Sequence, residues 1–161
     1  MIRTGIGYDV HPFAENRRLV LGGVEFEFGR GLIGHSDADV LLHAIADAVL
    51  GAAAQGDIGR HFPPSDPAFR DADSLELLAA AGAIARAAGF KTVNIDATVI
   101  AEAPKIGPRA AEMVANIALA LEIPRSSVNV KATTNEGLGF IGRAEGIAAL
   151  AIATVEGVIA E

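Results

Sequence analysis

Asp9 and His11 stand two residues apart in Gly7-Tyr8-Asp9-Val10-His11-Pro12. Alternate side chains of an extended strand leave the same face, so this carboxylate and imidazole point out together. A further imidazole closes the segment His35-Ser36-Asp37-Ala38-Asp39-Val40-Leu41-Leu42-His43. Two histidines and one aspartate are a typical ligand set for a zinc ion that keeps one position open for chemistry. The competing reading of Asp9, His11 and His43 is structural: a hydrogen-bonded strand pair and a helix histidine satisfied in the core. Asp47, one turn past His43, is either a carboxylate that orients that imidazole or a solvated helix residue.

Other groups carry two readings each. His35-Ser36-Asp37 precedes a helix, where a hydroxyl and free amides suit a phosphate, but where Ser36 or Asp37 also makes an ordinary cap. Lys105 in Ala101-Glu102-Ala103-Pro104-Lys105-Ile106-Gly107 could meet a diphosphate as a point charge, or is a lone surface lysine. Thr133, Thr134 and Glu136 could line a pocket for an anion and a metal, or form a polar strand end before a glycine-rich turn. Gly137 to Gly142 spells G-x-G-x-x-G, but only 19 residues follow Gly142, too few for the rest of a dinucleotide-binding unit. The chain has no G-x-S-x-G elbow, no Walker A lysine and no H-E-x-x-H.

The elements that must position these groups are legible in outline. Residues 2–12 read as a strand, and Arg18 to Phe28 as two short strands about the Gly22-Gly23 turn. From Asp39 to about Ala54 the apolar spacing is helical, which sets Asp39, His43 and Asp47 on one face. Residues 55–67 hold three prolines and two glycines and read as a long ordered loop or a lid. Asp73 to Glu76 has capping-box spacing for a helix that runs to Gly89. Residues 92–100 and 128–134 read as strands. Pro108 fits the first turn of a helix that ends before Pro124. Residues 146–158 are apolar almost throughout; helix and strand both fit, and the β-branched residues favour strand. This order predicts an α+β fold with a mixed β-sheet and helices packed on one face.

The 161 residues fit a single domain, 1–161. Cysteine is absent, so any metal must use oxygen and nitrogen ligands, and the chain is compatible with a cytoplasmic protein. The formal net charge of -7 argues against a nucleic-acid partner. No stretch is long and uncharged enough to span a membrane, and the N-terminus lacks the apolar region of a signal peptide. The chain is half apolar with few aromatics, and such a surface suits contact with further copies of itself.

Together these segments resemble the 2-C-methyl-D-erythritol 2,4-cyclodiphosphate synthase family of the non-mevalonate isoprenoid pathway. The likeness rests on G-Y-D-V-H at 7–11, L-G-G at 21–23, H-S-D-A-D-V-x-x-H at 35–43 and G-D-I-G at 56–59. It continues through F-P-P-S-D-P-x-F at 62–69, D-S at 73–74, A-P-K-I at 103–106, V-N-V-K-A-T-T at 128–134 and L-G-F-I-G-R-x-E-G at 138–146.

The resemblance implies a lyase. In 4-diphosphocytidyl-2-C-methyl-D-erythritol 2-phosphate, the 2-phosphate attacks the β-phosphorus, CMP leaves and the cyclic diphosphate forms. It implies Zn²⁺ on Asp9, His11 and His43, and a second ion, Mg²⁺ or Mn²⁺, held with the help of Glu136. His35 and Thr134 would stabilise the transition state, with Ser36 on the phosphate. Asp57, Ile58, Gly59, Phe62 and Asp66 would lie along the methylerythritol side. Ala101, Ala103, Lys105, Ile106 and Thr133 would receive the cytidine diphosphate, and Phe140 and Arg143 are further binding positions. The family implies a homotrimer with active sites between subunits. Asn135, where relatives carry threonine, and Pro64-Ser65 depart from its pattern. A zinc-dependent phosphohydrolase and a non-enzymatic metal-stabilised binding protein are the alternatives on the same ligands.

Overall fold

The computed structural model describes residues 1–158. Its centre is a five-stranded sheet in the order β4-β1-β7-β5-β6. The strands are β1 (Ile2–Glu15), β4 (Arg30–Leu32), β5 (Phe90–Ile100), β6 (Val128–Thr133) and β7 (Gly146–Gly157). Between β1 and β4, β2 (Leu19–Leu21) and β3 (Val24–Phe26) form a separate hairpin. Its turn places Gly22 at φ +59° and Gly23 at φ +69°, a conformation that glycine adopts without penalty. β5 and β6 run parallel and all other neighbours antiparallel, so the sheet is mixed as expected.

The helices are α1 (Val40–Ala52), α2 (Ile58–His61), α3 (Ser74–Ala87), α4 (Ala110–Leu121) and α5 (Gly139–Gly142). α1, α3 and α4 cover one sheet face. α1 is buried almost all round because it lies between the sheet and α3. β1 and α1 touch backbone to backbone. A Cβ on Gly5 would fall 2.2 Å from the Ala48 carbonyl oxygen, and one on Gly7 1.9 Å from that of Ala44. α3 presents Leu78, Ala81, Gly82 and Ala85, a helical stripe, to the core. Ile95, Ala97 and Val99 of β5, Val128 and Val130 of β6, and Ala149, Ala151 and Ala153 of β7 meet these helices from the sheet.

The 146–158 segment is a strand, β7, paired on both sides by β1 and β5. Its alternation is hidden because Leu150 and Ile152, on the face away from the helices, are also apolar. The 55–67 stretch is ordered and contains α2, with Asp57 capping the Arg60 amide at 2.9 Å. Just beyond it, a 3₁₀ turn at Pro67–Phe69 is capped by Asp66 through Ala68 N–H. Asp73 caps α3 through Leu75 N–H at 2.8 Å, while the Glu76 amide of the expected box bonds the Asp73 carbonyl instead. Pro108 sits in a 3₁₀ turn, Gly107–Arg109, that leads into α4. Strand β4 and helix α5 were not expected: β4 is three residues that pair with the far end of β1, and α5 is a single turn inside the glycine-rich segment that reads as a turn. Among the described residues no helix is long and apolar enough to cross a membrane.

Candidate metal centre and substrate pocket

Asp9 and His11 leave β1 on the face that carries Gly5 and Gly7, so the backbone contact with α1 holds both against that helix. His43 lies one turn into α1, its N–H on the Asp39 carbonyl at 3.0 Å. Asp39 fixes where the helix starts. Its carboxylate accepts from Leu42 N–H at 3.1 Å, Gly22 N–H at 3.0 Å and Gly23 N–H at 2.8 Å, which ties α1 to the β2–β3 turn.

The three side chains converge. Asp9 Oδ2 is 2.9 Å from His11 Nε2 and 3.0 Å from His43 Nδ1, and the two nitrogens are 3.3 Å apart. Among the described residues this is the one group of three whose ligand atoms all lie within 4.8 Å of one another. Bonds of about 2.0–2.2 Å in a tetrahedral site separate ligands by about 3.3–3.6 Å, so the set fits one ion after shifts of a few tenths of an ångström. The outer ring nitrogens are occupied. His11 Nδ1–H donates to the Ile33 carbonyl at 2.6 Å, which leaves the Nε2 lone pair for the centre. His43 Nε2 lies 3.0 Å from Ser36 Oγ and 3.0 Å from Ser74 Oγ.

The electrostatics favour a cation. Burial alone would raise the Asp9 carboxyl, but hydrogen bonds from His11 and His43 outweigh it and hold it well below the usual carboxylate range. Burial favours neutral His11, yet the Asp9 bond and charge outweigh it and raise His11 above its ordinary value. Asp9 is thus an anion at neutral pH.

A pocket of about 270 Å³ opens on the three ligands and is also lined by His35, Ser36, Ile58, Gly59 and Phe62, with Pro64, Phe69 and Leu77. The pocket surface is mostly apolar, with its imidazole, carboxylate and hydroxyl groups gathered on one side, which suits a small ligand with one polar end. His35 Nε2–H reaches the Asp66 carbonyl at 3.4 Å, so residue 66 borders the site through its backbone. The Asp57 and Asp66 carboxylates serve as caps. Asp47 does not touch His43; it accepts from Ile58 N–H at 2.7 Å and anchors α2 beside the pocket.

The remaining candidates form a second group. Ala101 N–H bonds the Thr133 carbonyl at 3.0 Å, and Asn135 N–H bonds Glu102 Oε1 at 2.8 Å, so the segments after β5 and β6 lie together. Thr134 Oγ1 donates to Glu136 Oε1 at 3.4 Å. Lys105, Thr133, Thr134, Glu136, Phe140 and Arg143 are exposed, while Ala101 and Ile106 are buried. Arg143 pairs with Glu145 at 2.7 Å. This group stands apart from the metal centre. Asp9 pairs with Ala149, Ala149 with Val99 and Val99 with Ala132, three strand spacings or about 14 Å across the sheet. Sequence reasoning missed Ser74 as a partner of His43 and Asp37 as the partner of Ser74. The D-S pair at 73–74 carries the same signature as a helix cap, and only tertiary folding sets it against residue 43.

The YgbB family model matches residues 2–156. The chain is 59% identical over 156 residues to 2-C-methyl-D-erythritol 2,4-cyclodiphosphate synthase of Geobacillus kaustophilus, covering 97% of this chain and 99% of that one. It is 63% identical over 151 residues to the enzyme of the same name from Bordetella petrii, covering 94% and 93%. The fold matches IspF of Plasmodium falciparum in its CDP complex, with TM-score 0.84, 34% identity and coverage of 98% and 97%. It also matches the bifunctional IspDF of Campylobacter jejuni, with TM-score 0.94 and 48% identity, over 98% of this chain and 42% of that longer one. A match that runs from the first strand to the last, with relatives this similar along nearly their whole length, means that the chain belongs to the YgbB family.

Proposed function

We propose that this chain converts 4-diphosphocytidyl-2-C-methyl-D-erythritol 2-phosphate to 2-C-methyl-D-erythritol 2,4-cyclodiphosphate and CMP in the non-mevalonate isoprenoid pathway. The observation that carries the reading is the Asp9-His11-His43 cluster lining a mostly apolar pocket, in a chain 59% identical to such a synthase. An oxygen of the 2-phosphate forms a bond to the β-phosphorus as the bond from that phosphorus to the CMP oxygen breaks. The nucleophile is already an anion, so the residues have to position two phosphates and offset their charge.

Asp9, His11 and His43 hold Zn²⁺ in this reading. Bound there, the ion supplies a Lewis acid for a phosphate oxygen. His35 and Ser36 flank the same pocket and offer an imidazole and a hydroxyl to the phosphate. Ile58, Gly59 and Phe62 pack against the methylerythritol carbons, with Asp57 and Asp66 ordering the loop beneath them. Ala101, Ala103, Lys105, Ile106 and Thr133 receive the cytidine diphosphate, with Phe140 and Arg143 beside them, and the Thr134 hydroxyl, with His35, stabilises the transition state by donating to phosphoryl oxygens. Glu136 helps hold a second ion, Mg²⁺ or Mn²⁺. Its backbone lies at φ +53°, a left-handed conformation that costs a non-glycine residue about 1 kcal/mol and that clusters at functional sites. The separation of the two groups supports a homotrimer in which each site takes its metal side from one subunit and its nucleotide side from the next.

The test is the product. Purified protein incubated with the CDP-linked substrate and a divalent ion should give CMP and a cyclic diphosphate, read by ³¹P NMR. CMP with a linear diphosphate would make the chain a phosphohydrolase, and no turnover would leave it a binding protein. Chelation should abolish the activity and zinc should restore it.

A further inference from the structure

His43 is held at both ring nitrogens. Nδ1 faces Asp9 and His11, and Nε2 faces two buried hydroxyls, Ser36 Oγ and Ser74 Oγ, at 3.0 Å each. A hydroxyl has one proton and accepts two bonds. Ser74 commits its proton to Asp37 Oδ1. Asp37 is itself locked, taking Ser74 N–H at 3.1 Å and Asp39 N–H at 3.1 Å. Ser74 Oγ is therefore left as an acceptor toward His43, and Ser36 Oγ, which accepts from Ala38 N–H at 3.2 Å, lies beside it. An acceptor at Nε2 keeps a proton there, so that Nδ1, which faces Asp9 at 3.0 Å, is the nitrogen that gives up its proton and turns its lone pair to an ion.

We propose that Ser74, oriented by Asp37, is a positioning residue for the metal centre: it accepts the Nε2–H of His43 and so fixes the tautomer and ring plane that present Nδ1 to the ion. The relay runs from a carboxylate on the loop before α1, through a hydroxyl at the start of α3, to a ligand inside α1. The hydrogen bond to Asp37 polarises the Ser74 hydroxyl and makes it a stronger acceptor for the His43 N–H. Ser74 is 1% exposed, so water does not substitute for it. This inference rests on the metal assignment above.

The experiment measures zinc affinity by competition with a chromophoric chelator for the wild type, Ser74→Ala, Ser74→Thr and Asp37→Asn. Ser74→Ala should weaken zinc binding about 10- to 100-fold. Asp37→Asn should weaken it less, because its amide oxygen still takes the Ser74 proton, and Ser74→Thr should keep most of the affinity because it retains the hydroxyl. A second readout uses ¹⁵N-histidine NMR of the zinc-loaded wild type. His43 should show an Nε2–H proton protected from solvent exchange, and that protection should fall in Ser74→Ala. A staple with no role at the metal would lower the melting temperature of Ser74→Ala and leave the zinc affinity of the folded protein unchanged; that result overturns the proposal. If Ser74→Ala does not fold, the wild-type spectrum decides, and an unprotected His43 Nε2–H overturns it. Failure of the wild type to bind zinc overturns the metal assignment itself, which separates the two.

Discussion

Asp39 is the most deeply buried carboxylate near the site, and its own titration can be read. Complete burial pushes its carboxyl up to about 6, against amide bonds from Gly23, Leu42 and Gly22 and with Asp37 adding repulsion. A carboxyl that binds its proton more tightly folded than unfolded stabilises the fold below its unfolded value and loses that stability as pH rises through its folded one. The Asp39→Asn variant has no such proton to lose. The stability advantage of the wild type over Asp39→Asn should therefore shrink between about pH 4 and pH 7, by about 2 kcal/mol of the roughly 3 that the whole shift represents at 1.36 kcal/mol per pKa unit. Urea unfolding of the two metal-free proteins at both pH values measures it, and comparing variants cancels the other titrating groups. An advantage that grows with pH would mean that the three amides outweigh burial.

At the scale of elements, the centre depends on how closely β1 and α1 approach. Gly7→Ala would drive a methyl into the Ala44 carbonyl, and backbone cannot rotate away as a side chain can. Overpacking of this kind costs about 2 kcal/mol, a fall in Tm of about 4–8 °C for a chain this size. Because the same movement parts His43 from Asp9 and His11, zinc affinity should fall with it. Gly51→Ala is the control. It lies in α1 with nothing within 4 Å of the added Cβ, so it should raise stability by up to about 1 kcal/mol. Equal melting of Gly7→Ala and wild type would disprove the close contact.

Elements with a local signature were legible in the sequence. The D-x-H alternation marked β1, the Gly22-Gly23 pair marked the hairpin and Asp73 marked a helix start, whereas α1 is capped by Asp39 and not by the expected Ser36 or Asp37. What stayed hidden depends on contacts remote in sequence. β4 is three residues long and exists only because Phe13–Glu15 of β1 pairs with it. The relay through Ser74 reaches His43 across 31 residues, and nothing in the D-S pair distinguishes it from a cap.

At the scale of the whole molecule, two facts ask for further copies of the chain. The sheet face opposite the helices is open and apolar, with Ile6 70%, Tyr8 52% and Ile152 49% exposed beside Val10 and Leu150. Asp9 and Ala132, at the strand end that leads to Thr134 and Glu136, also lie three strand spacings, about 14 Å, apart across the sheet. The proposed trimer with sites between neighbours would answer both: it would cover the face and bring one subunit's proposed metal side to the next subunit's proposed nucleotide side. Ile152→Asp should then break the assembly and the activity together, seen by sedimentation and turnover. The sharper test is complementation. His43→Ala removes the metal side, Glu136→Gln the nucleotide side, and each alone should be nearly inactive. In mixed trimers, an interface pairing His43 from one variant with Glu136 from the other is whole. Random mixing of equal amounts makes about a quarter of the interfaces whole, so co-refolded protein should recover roughly a quarter of wild-type turnover. If the mixture stays as inactive as its components while still forming trimers, each site lies within one subunit and the shared-site reading fails.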